Sequence, residues 1–255
     1  MEWYDPSVIS QYKRTNDFEA NTNISLRNRY VYLAVDKAAN STIKERLYRI
    51  EYEPTNWDIV TLYDKRSSPL LSPHQLPPDL LRQVFTSGDY YRFTLVRNPF
   101  TRLLSCYLDR IRRQTSRPRR QLNANLKRRG TDPASVDFYT FVQAICEQGS
   151  AQQNSHWRVQ SDDILFDRVD FDYVGKFENL AQEMSRFSQA IWGVQRDEMD
   201  IVGPRDTNSS PQVTNAGSRL RDYYTPELVD LVQERYRADF KNFEYPLELP
   251  EAPDP

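Results

Sequence analysis

The chain has 255 residues, 38% of them hydrophobic and 27% charged, with a formal net charge of −2. This length buries one substantial core, and 4 Trp, 16 Tyr and 12 Phe exclude a disordered chain. A mean hydropathy of −0.77, no apolar run near about eighteen residues, and an opening Met1-Glu2-Trp3-Tyr4-Asp5-Pro6 without a basic-then-apolar region predict a cytoplasmic protein with no stable membrane span.

In chain order, the first strong element is the alternating β-branched and aromatic run Tyr30-Val31-Tyr32-Leu33-Ala34-Val35, which reads as a buried strand. Lys37-Ala38-Ala39-Asn40-Ser41-Thr42 follows, then a helix expected over Thr42 to Arg49, with Asn40, Ser41 and Thr42 all able to cap it. A strand, a tight loop and a helix N-terminus make an anion site, because backbone N–H groups and the helix dipole point at the loop and Lys37 adds a charge. The pattern G-x-x-x-x-G-K-[ST] is absent, so this segment alone fits an ordinary capped helix equally well. A second strand is expected at Asp58 to Leu62, and a loop rich in Ser and Pro at Tyr63 to Pro78.

A third strand, Tyr91 to Val96, ends in Arg97 and is followed by a helix that Pro99 opens and that runs to Arg113. Further helices are expected at Ser135 to Glu147, Glu178 to Trp192 and Pro226 to Phe240, the last capped by Thr225, with a fourth strand near Phe171 to Gly175. Cys106 and Cys146 fall in apolar helical patterns and read as free buried thiols. The alternation of strand and helix predicts an α/β fold with a central, mostly parallel sheet flanked by helices and ligands beyond the carboxyl ends of its strands.

Arg97 at a strand end and Ser105 about two turns into the next helix can clasp one phosphate, the arginine as a planar fork and the serine as a neutral donor. Arg102 reads as a core residue pairing with a carboxylate or with backbone carbonyls. From Arg110 to Arg129 the chain carries Arg110, Arg112, Arg113, Arg117, Arg119, Arg120, Lys127, Arg128 and Arg129 with no acid among them. Nucleic acid, a phospholipid surface, an acidic polysaccharide or plain solvation of a basic loop each fit that block. Few aromatics interleave with it, which argues against single-stranded nucleic acid. No metal-ligand spacing occurs, and the chain holds only 2 His.

The chain resembles the carbohydrate sulfotransferases of the sulfotransferase 2 family, the chondroitin 4-O and HNK-1 type. Lys37, Ser41 and Lys44 match that family's P-K-V-x-x-[ST]-x-x-K loop, and Arg97, Pro99, Phe100, Arg102, Leu103, Ser105 and Tyr107 match its R-[DE]-P-F-x-R-L-[LIV]-S-x-[YF] motif. Asn154-Ser155-His156-Trp157 is similar to its N-E-H-W, Asp172 to Leu180 to its Y-D-[FL]-[IV]-G-K-[FY]-E-x-L, and Tyr236 to Tyr245 to its Y-x-x-D-F-x-x-F-x-Y. The chain departs from the pattern at Asp36, where the family has proline, and at Asn40, Ile43 and Asn98. The cysteines that Golgi relatives carry after H-W are missing, as is their membrane anchor, which fits a soluble bacterial-type member.

The resemblance implies a P-loop-like sulfotransferase fold, a single domain over residues 1–245 with a proline-rich acidic tail at 246–255. It implies 3′-phosphoadenosine 5′-phosphosulfate (PAPS) as sulfuryl donor, held by Lys37, Ala38, Ala39, Asn40, Ser41, Thr42 and Lys44 at one phosphate and by Arg97 and Ser105 at the other. Ser218 and Arg219, in a polar stretch after Thr214-Asn215, are expected to close over the nucleotide. Lys37 is the expected catalytic cation. The base is His156 or His74, with Asp36 a third candidate. Arg112, Arg113 and Arg117 would recruit a carbohydrate acceptor carrying acidic groups, while the acceptor's identity and the oligomeric state stay open. Two other readings remain: a non-catalytic nucleotide or polyanion-binding protein on the same fold, and a P-loop kinase, which the missing glycines disfavour.

Overall fold

The computed structural model describes residues 5–193 and 216–251, apart from 54, 56, 57, 60 and 63. Helices α1 (Pro6–Tyr12) and α2 (Thr15–Asn21) lead into strands β1 (Thr22–Ser25) and β2 (Tyr30–Leu33). Next come α3 (Asn40–Tyr52), α4 (Pro78–Thr86), β3 (Tyr91–Val96), α5 (Pro99–Cys106), α6 (Arg117–Arg128), α7 (Phe138–Cys146) and α8 (Gln160–Asp163). Strand β4 (Tyr173–Lys176) precedes α9 (Leu180–Trp192), α10 (Leu220–Tyr223), α11 (Pro226–Arg235) and α12 (Arg237–Asn242).

The strands form one sheet in the order β1-β2-β3-β4, with β1 antiparallel to β2 and the other pairs parallel. Successive side chains of a strand point to opposite faces. Val31, Leu33 and Val35 accordingly enter a core with Leu103, Phe141 and Val232 of α5, α7 and α11, whereas Tyr30, Tyr32 and Ala34 enter a second core with Ile43, Leu47 and Phe187 of α3 and α9. Both faces are thus covered by helices, as parallel strands require. The helix starts follow local chemistry. Asn98 Oδ1 accepts the Phe100 N–H at 3.0 Å with Pro99 in the first turn, and Thr225 Oγ1 caps α11 through the Leu228 N–H.

Several expected elements differ. Asp58, Ile59, Thr61 and Leu62, the described residues of the expected second strand, lie in no strand. One edge of β2 is taken by β1, registered from Thr22 opposite Leu33 to Ser25 opposite Tyr30, and the other by β3. Ile59 and Leu62 pack instead against the α3–α9 core. The helix from Pro99 does not continue regularly to Arg113. It ends at Cys106 and opens into a π turn, Tyr107–Ile111, closed by the Arg112 N–H on the Tyr107 carbonyl at 3.0 Å.

The basic block is largely helix rather than loop. Ser116 Oγ caps α6 through the Arg119 N–H at 3.0 Å, and buried Arg119 donates to the carbonyls of Ile111 and Pro133. The last helix is broken at Tyr236, whose hydroxyl donates to the Trp157 carbonyl. Cys106 and Cys146 are free thiols, as expected. Among the described residues no helix is long and apolar enough to cross a membrane.

Candidate active site

The carboxyl ends of three parallel strands meet at one place, and each delivers a charged side chain: Lys37 after β2, Arg97 after β3 and Glu178 after β4. The loop after β2 is bent sharply. Lys37 and Ala39 both lie in the left-handed region, at φ 70° and 57°, a conformation that costs energy for residues with a Cβ. Alternation of this kind turns backbone N–H groups into an anion-binding concavity. The expected caps are not used: Ala39 is the N-cap of α3 and supplies no side-chain hydrogen bond to the first turn, while the Asn40 amide donates to Asp36 Oδ1 at 3.2 Å.

Lys37 Nζ lies 2.8 Å from Asp109 Oδ2, and Arg110 Nε reaches the same oxygen at 3.0 Å. The π turn carries both partners, so the irregularity after Ser105 is what brings a carboxylate to the loop. Burial opposes the charge on Asp109, but Lys37, Arg110 and Arg113 outweigh it and hold its pKa below the ordinary value.

Arg97 ties the loop to the β3 end. Its Nη1 donates to the Lys37 carbonyl at 3.1 Å, its Nε to Thr101 Oγ1 at 3.1 Å, and its guanidinium lies 4.1 Å from the Phe177 ring centroid. The Nη2 has no partner among the described residues. Burial lowers its pKa to about 10, which leaves it charged at neutral pH. Gln160 clamps the Arg97 backbone from both sides, Oε1 accepting its N–H at 2.9 Å and Nε2 donating to its carbonyl at 2.8 Å. Asp239, fully buried on α12, in turn accepts the Gln160 and Ser161 N–H groups.

His156 stands beside this loop. Its Nδ1 lies 2.8 Å from Asn154 Oδ1 and 3.4 Å from Asp36 Oδ2. Acceptors on Nδ1 place the proton there and leave the Nε2 lone pair available to a substrate. Burial lowers the His156 pKa; Asp36 opposes this, and the cations Arg110, Lys37 and Arg102 add to it. The imidazole is therefore neutral near pH 7. Burial works against ionisation of Asp36, yet His156, Ser155, Asn40 and Lys44 together hold its carboxyl below the usual range, with the Ser155 hydroxyl donating at 2.6 Å. Arg102 fixes the frame, donating to the carbonyls of Asp36, Arg158 and Ser155 at 2.9, 2.7 and 2.8 Å.

A profile of the sulfotransferase family matches residues 20–246. The chain belongs to the sulfotransferase family. Carbohydrate sulfotransferase 14 of Danio rerio is 25% identical over 234 residues, covering 86% of this chain and 60% of the relative. The Mus musculus protein of the same name is 28% identical over 170 residues, 64% of this chain and 44% of its own length. Human carbohydrate sulfotransferase 8 is 26% identical over 170 residues, with 61% and 39% covered. The chain thus spans about half the length of the curated relatives it matches. No solved structure matches it significantly.

Within this family frame, Lys37, Arg97 and His156 converge, and Ser105 is buried on α5. Lys44 is buried on α3, its pKa lowered by burial against the pull of Asp36. Arg219 Nη2 donates to the Tyr223 hydroxyl at 2.9 Å, and the Tyr223 ring meets that of Tyr107 edge-on at 6.0 Å, so the Ser218–Arg219 turn borders the π turn. Thr214 and Asn215 lie outside the described residues. Arg112, Arg113 and Arg117 are exposed where the π turn passes into α6. His74 is 65% exposed, with its Nδ1 and N–H on Glu19 Oε2 at 2.9 and 3.0 Å.

Sequence reasoning missed Asp109 and Gln160 and read Arg110 only as part of the basic block. Asp109 falls four residues after Ser105, a spacing that carries information only once the π turn is known. Gln160 carries no signal by its residue type, since its role is to hold backbone.

Proposed function

We propose that this protein transfers a sulfuryl group from PAPS to a hydroxyl of a carbohydrate. The observation that carries the reading is the Arg97 Nη1 bond to the Lys37 carbonyl, which makes the two anion-binding motifs one site with neutral His156 at its side. The residues fit such a donor. The left-handed loop and the first turn of α3 suit one phosphate, and Arg97 with Ser105, bordered by Ser218 and Arg219, suits another. When bound, PAPS supplies a sulfuryl group on a phosphate leaving group, the S–O bond to phosphate breaking in line as the bond to the acceptor oxygen forms.

The chain's own residues then have distinct tasks. Lys37 offers a full positive charge beside the loop, best used where negative charge grows on the leaving oxygen. His156 Nε2 takes the hydroxyl proton, and Asp36 stabilises the imidazolium that results. Arg112, Arg113 and Arg117 attract an acceptor that carries acidic groups. The cytoplasm, where the Cys106 and Cys146 thiols stay reduced, is part of the same proposal.

The test is transfer of radiolabelled sulfate from PAPS to a panel of glycans, with and without EDTA. Label in a glycan that persists with EDTA is the expected result. Tight nucleotide binding with no transfer to any glycan would favour a non-catalytic polyanion-binding protein on the same fold.

A further inference from the structure

Resting on that reading, we infer that one face of α6 is an acceptor subsite for an anionic oligosaccharide, holding the sugars beyond the one that receives the sulfuryl group. Residues three or four apart on a helix share a face. Arg117, Gln121, Asn125 and Arg128 therefore form one stripe, about 17 Å from end to end at about 1.5 Å per residue. Arg117 begins it beside the π turn that carries Asp109 and Arg110.

Gln121 joins the stripe to the proposed base. Its Oε1 accepts from Asn154 Nδ2 at 2.8 Å, and Asn154 Oδ1 is the atom that holds His156 Nδ1 at 2.8 Å. The stripe is thus tied through Asn154 to the group that orients the proposed base.

Farther along, the stripe borders a cavity of about 300 Å³ lined by Gln121, Asn125, Arg128, Arg129, Gln148 and Gln152, with Trp157 beneath. The chemistry of this lining is specific. Side-chain amides offer both donors and acceptors, the match for vicinal hydroxyls, and the arginines add a planar fork for a carboxylate or sulfate. Asn125 Oδ1 is buried and has no hydrogen-bond partner among the described residues, a state that a donating sugar hydroxyl would relieve. Arg129 is already paired with Glu147, whereas no carboxylate among the described residues pairs with Arg128, which leaves its charge to a ligand. A second cavity, of about 430 Å³, has three carboxylates, Glu147, Glu227 and Glu234, against one arginine, Arg235, in its lining and so suits an anion less well.

The experiment measures equilibrium binding by calorimetry, without any transfer step. The probes are a uronate hexasaccharide (hexagalacturonate), the neutral maltohexaose and a short single-stranded oligonucleotide of similar charge. Asn125→Leu and Arg128→Gln are compared with Lys127→Gln, an exposed charge of α6 outside the stripe. The wild-type chain should bind the uronate at least about tenfold tighter than either other probe. Asn125→Leu and Arg128→Gln should each weaken it about tenfold, as loss of a hydrogen bond to a charged or buried group does, with Lys127→Gln within about twofold.

Affinity for adenosine 3′,5′-bisphosphate and the melting temperature should be unchanged in all three variants. The proposal is overturned if the uronate does not bind, if the oligonucleotide or the neutral glycan binds as tightly, or if Lys127→Gln costs as much as Arg128→Gln while Asn125→Leu costs nothing. Because binding alone is read, specific uronate binding with no sulfate transfer would uphold the subsite and count against the transfer reading instead.

Discussion

Replacing Asp109 with Asn should tighten the hold of the site on an anionic nucleotide. Lys37 Nζ spends its charge on Asp109 Oδ2 at 2.8 Å, so a bound anion and this carboxylate compete for one ammonium. An anionic oxygen about 2.8 Å from the same nitrogen would lie no more than about 6 Å from the carboxylate. Repulsion between unit charges at that separation is about 1 kcal/mol in water and about 3 kcal/mol at an effective dielectric of about 20. The side chains of Lys37 and Asp109 are only 12% and 8% exposed, so the upper half of that range applies. Asp109→Asn keeps the volume and one acceptor oxygen, and it should lower the Kd for adenosine 3′,5′-bisphosphate about 30- to 150-fold. The same change leaves Lys37 and Arg110 without their counter-charge, so the nucleotide-free protein should melt at a lower temperature. Calorimetric titration checks the first effect and thermal unfolding the second. A Kd that is unchanged or raised would refute the reasoning, because the carboxylate would then be holding Lys37 in its binding position rather than competing for it.

The remaining predictions concern protons and packing. The kcat/KM profile should have an acidic limb with its midpoint below the ordinary imidazole value of about 6.5, because burial lowers His156. His156→Ala should abolish the limb along with most activity and His74→Ala should leave it, while Asp36→Asn, by removing the carboxylate that favours the imidazolium, should move the midpoint lower still; a limb lost in His74→Ala would reverse the assignment. Burial and Lys44 push the Lys65 pKa down to about 7, so the unfolded chain binds the extra proton between about pH 7 and 10.5 and this residue's contribution to stability rises across that window. The melting temperature of Lys65→Met minus that of wild type should therefore be larger near about pH 6.5 than near about pH 10, and a pH-independent difference would contradict the assignment. A Cβ at Gly175 would sit 2.7 Å from Leu95 Cδ1 and 3.1 Å from Glu183 Cδ. Gly175→Ala should cost about 1–3 kcal/mol, seen as a Tm about 2–10 °C lower, and an unchanged Tm would show that Leu95 yields freely.

What the sequence made legible follows from which interactions are local. Tyr91–Val96 is read residue for residue because apolar and aromatic residues alternate with Arg92 and Thr94 between turn signals, and Asn98 with Pro99 announces α5 by local capping chemistry. β1 was missed because Thr22-Asn23-Ile24-Ser25 carries no alternation; it is a strand because β2 has a free edge and Leu71 bridges Ile24 on the other side. The segment Asp58 to Leu62 was misread for the complementary reason, having the residues of a strand while both edges of β2 are taken by β1 and β3. In the candidate site, Lys37 and Arg97 were expected from residue type and place at strand ends, and His156 from the motif resemblance. Asp109 was not, since its approach to Lys37 depends on a π turn that no periodicity encodes. Arg102 bonds the carbonyls of Asp36, Arg158 and Ser155, as its place in a core helix suggested.

The central claim is that Lys37 serves a departing, negatively charged oxygen rather than merely attracting a nucleotide. Single-turnover sulfate transfer by Lys37→Ala, measured beside its Kd for adenosine 3′,5′-bisphosphate, tests this most directly. A transfer rate reduced about 100- to 1,000-fold with a Kd within a few-fold of wild type is the predicted outcome. A transfer rate near that of wild type, or a loss wholly accounted for by weaker nucleotide binding, would contradict it.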